Sequence, residues 1–136
     1  MAAYFELMFT SDFCADAESA EIAQIIRVSR AKNVAASLTG LLMFDGARFC
    51  QHLEGPEAAV RATVARIAAD PRHSQFTQLH AGGNGRAGRF SAWQIGILMP
   101  DGPSPLLALG AMRGPAAVDH LLSLFRERQK FGMHVV

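Results

Sequence analysis

Gln51 is a neutral amide set in an apolar run, with Phe49 and Leu53 two positions to either side of it. If the run is a strand, Phe49, Gln51 and Leu53 share one face, while Arg48, Cys50 and His52 share the other. A core-facing Phe49 and Leu53 carry Gln51 inward with them. There each unpaired polar atom costs about 1–3 kcal/mol. A primary amide offers one acceptor end and one donor end, so what it bonds to decides what the chain does.

The other chemistry-bearing residues are plainer when taken singly. Asp70, Arg72 and His73 sit where a second helix should end, and cations just past a C-terminus offset the helix dipole. Lys32 and Asn33 read as an ordinary helix stop, since Asn tolerates the left-handed conformation. His52, His80, His120 and His134 have no acidic partner near in sequence and read as surface residues. Ser11, Ser29 and Ser37 lack a nucleophile context such as GxSxG. Glu54 reads as a first-turn helix residue with no second carboxylate beside it. Trp93 reads as core. Residues 83–88, GNGRAG, match the letters of a dinucleotide fingerprint, but a strand-like segment follows where a helix is required. They read as a glycine-rich hairpin loop.

The elements needed to position these side chains alternate in kind. Tyr4 to Thr10 reads as a strand, followed by a helix capped by Asp16 or Ser19 and running to about Ala31. Val34 to Phe44 and Ala47 to Leu53 form a hairpin through Asp45 and Gly46. A second helix opens near Pro56 and buries Ala59, Val60, Thr63, Val64 and Ile67. Two strands, Gln75 to His80 and Phe90 to Leu98, complete a β-α-β-β-α-β-β order. That order predicts an α+β, ferredoxin-like split βαβ sheet with two helices on one face. Residues 1–98 form this domain. Residues 99–136 form a helical extension, Leu106 to Met112 and Ala116 to Phe131, that covers the open sheet face or a second copy in a homo-oligomer. Such a fold makes Asn33, Gln51, Arg72 and His73 neighbours around a slot between the helices, walled by Ile25 and Val64. A flat heteroaromatic ring with carbonyls along one edge suits it.

Composition narrows the classes. The chain has 136 residues, 50% hydrophobic, with net charge +1 and 18% charged residues. That supports one core and argues against nucleic acid, whose binding needs clustered Lys and Arg. The longest apolar stretches, about ten residues, fall short of the roughly 20 that span a bilayer, so no membrane partner is expected. With no signal-like N-terminus, Cys14 and Cys50 read as reduced thiols of a cytoplasmic protein.

Five segments in order carry a resemblance: VSRAKN at 28–33, LTGLL at 38–42, FCQHLEGP at 49–56, DPRH at 70–73 and RFSAW at 89–93. Across residues 4 to 98 the chain resembles a BLUF domain, a blue-light sensor that uses flavin adenine dinucleotide (FAD). The resemblance implies a non-enzymatic photoreceptor with noncovalent FAD between the two helices, signalling to a separate downstream protein. It implies that Asn33 and Gln51 bond the polar ring edge. Arg72, His73, Asp70, Lys32, Ile25 and Ser29 would surround the ring and its tail. The family's light response looks like proton-coupled electron transfer from a tyrosine through the glutamine, whose rearranged bonds reach the last strand near Trp93. Here Phe9 stands where the family places its tyrosine, and Ile95 where it commonly has a methionine. Phenylalanine has no hydroxyl proton and donates electrons far less readily, which puts the usual photocycle in doubt. Two other readings compete. A small acylphosphatase-like enzyme shares the element order but needs an Arg after the first strand, where residues 9–12 offer none. A flavin-free interaction module needs no cofactor at all.

Overall fold

The computed structural model describes residues 4–13, 19–83, 88–97, 106–130 and 134–135. The elements run β1 (Phe5–Phe13), α1 (Ser19–Ala35), β2 (Thr39–Phe44), β3 (Arg48–Gly55), α2 (Glu57–Ala68), β4 (His73–Gly83), β5 (Trp93–Ile97), α3 (Pro115–Lys130) and β6 (His134–Val135). Strand order is β4-β1-β3-β2-β5-β6. β3 pairs antiparallel with both β1 and β2, and β5 lies parallel to β2. Each helix crossover thus spans one intervening strand, as a split βαβ unit requires.

The inward–outward alternation expected for residues 48–55 is what builds two cores. Phe5, Leu7, Phe9, Phe49 and Leu53 face α1 and α2, packing with Ile25, Val60, Val64 and Ile67. Met8, Leu41, Met43 and Cys50 face the other way, against Val118, Leu121, Leu122 and Phe125 of α3. The C-terminal helix therefore covers the second sheet face. Asp45 closes the β2–β3 turn by accepting from the backbone N–H groups of Ala47 (3.1 Å) and Arg48 (2.8 Å). Gly40 on β2 has φ 143°, and a Cβ there would sit 1.9 Å from the His52 carbonyl oxygen. No side chain fits, so the two strands can lie close beside the site.

Several boundaries differ from the sequence expectation. α1 continues to Ala35, and Ser37, at φ 60°, is the left-handed residue beyond its end. Asn33 therefore lies within the last turn and does not stop the helix. β2 starts at Thr39, leaving Val34 exposed on α1. Glu54 belongs to β3 and is fully buried, because β3 runs on to Gly55 before Pro56 caps α2. Leu106 to Met112 tightens to a 3₁₀ turn at Ala108–Ala111. The connection after β4 is no hairpin: β4 is an edge strand beside β1, while β5 lies beside β2, so the chain crosses the sheet between them. Residues 84–87 of the glycine-rich loop, Asp16, Cys14 and the side chains of Ser19 and His134 lie outside the described residues.

Candidate functional site

Gln51 sits at the centre of the sheet, opposite Phe9 of β1 on one side and Leu42 of β2 on the other. It is fully buried, as is Phe9, and Asn33 is 1% exposed. Among the described residues, neither end of the Gln51 amide nor either end of the Asn33 amide has a hydrogen-bond partner. Two interior amides left unpaired would cost several kcal/mol if nothing bonded to them, at about 1–3 kcal/mol per atom. Among the described residues no main-chain group bonds Gln51. A planar ring edge that alternates carbonyl acceptors with an N–H donor matches both amides at once. The residues present therefore fit a flavin.

Phe9 stacks on Phe76 of β4, ring centroids 4.6 Å apart. Its ring ends without a polar atom beside an amide that has no partner among the described residues. Ile95 lies in the same cross-strand row, beyond Leu42, and Trp93 lies in the next row beside Gly40. Trp93 is core, as expected of it, yet its buried indole N–H is also unpaired among the described residues.

A cleft of about 190 Å³ opens between the C-terminal ends of α1 and α2. Ile25, Ser29, Lys32, Asp70, Arg72 and His73 all line it, with Ile67 and Arg66. Asn33 and Gln51 lie in the interior and do not line it, and Val64 packs in the core. Asp70 takes a bidentate clamp from Arg72 (2.6 and 3.0 Å) and a backbone N–H from the same residue (2.9 Å). The Arg72 guanidinium holds the Asp70 carboxyl below its ordinary range, and Asp70 raises Arg72 in return. Burial pushes the His73 imidazole below its usual value, although the Asp70 charge pulls the other way. His73 packs on Phe49 (4.9 Å), two residues from Gln51 on the same face of β3. Arg66 escaped the sequence reading. It lies in the last turn of α2, one residue before Ile67, and only the docking of α1 against that helix end brings it to the cleft.

The reverse face of β3 corrects the reading of His52 and His80, while His120 is exposed as expected. His52 is fully buried and His80 partly so, and both turn Nε2 to the Glu6 carboxylate at 3.1 Å. Arg89 donates to Glu6 at 3.0 Å and reaches Asp119 of α3 at 3.6 Å. Burial alone would raise Glu6, but hydrogen bonds from His52 and Arg89 outweigh it and hold the carboxyl far below its usual range. Glu54 accepts from Thr39 Oγ1 (3.0 Å) and from the backbone N–H groups of Arg89 (2.8 Å) and Phe90 (2.7 Å). Glu6, His52 and Glu54 approach one another as metal ligands would. A guanidinium already occupies the Glu6 carboxylate, which makes the cluster a charge network, although the buried Nδ1 of His52 has no partner among the described residues.

The architecture is thus an α+β sheet with two crossover helices, a cleft between them lined by Lys32, Arg66 and Arg72, and two interior amides behind it. The comparisons make the class specific. Residues 4–96 match the model of the BLUF family, sensors of blue light using FAD, and the chain belongs to that family. It is 33% identical over 73 residues to the blue light- and temperature-regulated antirepressor BluF of Escherichia coli (strain K12), covering 54% of this chain and 18% of that protein. It is 38% identical over 60 residues to photoactivated adenylate cyclase subunit beta of Euglena gracilis, covering 44% and 7%. The chain thus spans less than a fifth of the length of these relatives. The dark-state structure of BlrB, a BLUF protein, superposes with a TM-score of 0.66 at 32% identity over 80% of each chain. Klebsiella pneumoniae BlrP1, in a manganese and cyclic diGMP complex, gives 0.62 at 26% identity over 71% of this chain and 24% of that one. Among the described residues no helix is long and apolar enough to cross a membrane.

Proposed function

We propose that this chain is a flavin-binding domain of the blue-light sensor type whose light response is altered by Phe9, and that it acts through a separate partner protein. The observation that carries the reading is the pair of buried, unpaired amides of Asn33 and Gln51. Together they offer a ring edge two acceptors and two N–H donor groups, and their burial excludes water as a competitor. Ile25 and Ile67 supply apolar walls, and Ser29 a hydroxyl. Lys32 and Arg66 are exposed cations at the cleft. They favour a ligand with an anionic tail, which supports FAD over an uncharged flavin. Arg72 is largely neutralised by Asp70, so its task is to hold the turn that carries His73.

When bound, the flavin supplies blue absorption and an excited state that accepts an electron. Phe9 cannot donate that electron with an accompanying proton, and it leaves the Gln51 amide without a hydroxyl partner on β1. Gln51 consequently has no side-chain relay to reset its hydrogen bonds. A free, buried Cys50 fits a reducing, cytoplasmic setting.

Illumination of the flavin-loaded chain tests this. The chain should show no long-lived red shift of the flavin band, and Phe9→Tyr should create one that decays in the dark. A full reversible shift in the unaltered chain would show that Phe9 does not limit the response.

A further inference from the structure

Ser11 is two residues beyond Phe9 on the same face of β1 and is 1% exposed. A hydroxyl so placed needs a partner, and its side chain has one described: Oγ lies 2.8 Å from Nδ1 of His73. The contact joins positions 62 residues apart. It spans from β1 to the start of β4, where Phe13 pairs with His73. His73 is held from three further directions. Its ring packs on Phe49, its backbone N–H donates to the Asp70 carbonyl at 3.1 Å, and it forms part of the cleft wall.

Resting on the flavin reading above, we infer that Ser11 is a positioning residue for His73: its hydroxyl donates to Nδ1 and so assigns the imidazole proton to Nε2. With Nδ1 turned toward β1, Nε2 is the nitrogen on the opposite side of the ring, left for the cleft. A neutral imidazole carries one proton, so the nitrogen that accepts from Ser11 leaves the other as a donor. Burial favours that neutral form. A donor in the cleft complements a ligand rich in carbonyl and ring-nitrogen acceptors. The opposite tautomer would present a lone pair to those acceptors and repel them. Phe49 fixes the ring plane and Ser11 fixes its proton.

Imidazole nitrogen resonances of the flavin-free chain, labelled with ¹⁵N-histidine, read the tautomer directly. His73 should appear as the Nε2–H form. Ser11→Ala should mix the two tautomers, and Ser11→Thr, which keeps the hydroxyl, should restore the single one. FAD titration of the same three proteins should show roughly 2- to 10-fold weaker binding for Ser11→Ala alone, the scale of one hydrogen bond. An Nδ1–H tautomer in the unaltered chain would overturn the inference. So would a tautomer ratio unmoved by Ser11→Ala, or equal FAD affinity in all three proteins. If none of the three takes up FAD while the tautomer responds as expected, the flavin reading fails and Ser11's hold on His73 stands.

Discussion

The two faces of β3 bury polar side chains to the same depth and pair them to very different degrees, since on the rear only His52 Nδ1 lacks a partner among the described residues. On the face toward α3, Glu54 accepts three hydrogen bonds and His52 reaches Glu6, which Arg89 and His80 also bond. On the face toward α1 and α2, Gln51 has no described partner, and Asn33 above it has none. A paired interior group contributes to one folded arrangement, while an unpaired one costs stability until something bonds to it. The rear face is thus a clasp that ties β1, β3, β4, the segment at 89–90 and α3 together. The front face keeps two buried amides without a described partner. One strand serves both because its side chains alternate.

That contrast can be broken most forcefully from the rear. Arg89→Met leaves the Glu6 carboxylate buried without its guanidinium, and about 3–5 kcal/mol of stability should be lost in urea denaturation. The front should answer in the other sense. Gln51→Leu or Asn33→Leu removes an unpaired amide, so the flavin-free chain should gain about 1–3 kcal/mol or stay unchanged. FAD affinity should fall about tenfold for each variant, the equivalent of roughly 1.4 kcal/mol, by fluorescence titration.

Acid sharpens the same comparison. Glu6 has a folded pKa depressed below its ordinary 4.5. The unfolded chain therefore binds this proton first, and the stabilisation is complete above that value and lost as pH falls below it. Glu6→Gln should flatten the stability profile in that acidic window, measured by thermal melts from pH 6 downward. The smallest effect belongs to the surface. Arg61 pairs with Glu57 at 2.8 Å and lies 4.7 Å over the Phe5 ring, with both charges more than half exposed. Arg61→Ala should cost only about 1 kcal/mol or less.

What could be read from the chain, and what could not, follows the same division. The period-two pattern at 48–55 announces both faces, because parity is a local property. The inward amide at Gln51 and the close of the turn at Asp45 and Gly46 need no partner to be seen. The rear clasp was invisible for the opposite reason: Glu6 is 46 residues from His52 and 74 from His80. No local spacing joins them, so the histidines looked isolated. Glu54 was misplaced because a Glu-Gly-Pro-Glu run imitates a helix start, and only strand pairing with Glu6 and Thr39 keeps it in the sheet. The crossing from β4 to β5 was likewise hidden, since a glycine-rich segment between two strands looks like a hairpin whatever the strands' final neighbours.

If the front-face amides are there for a flavin, titrating the flavin-free chain with FAD shows it most directly. The unaltered protein should take up FAD in a one-to-one ratio, with the vibrational structure in its absorption band that a rigid, dry site produces, and the Asn33→Leu/Gln51→Leu double variant should bind far more weakly while remaining folded. No uptake by the unaltered chain, or equal uptake by a folded double variant, would contradict it.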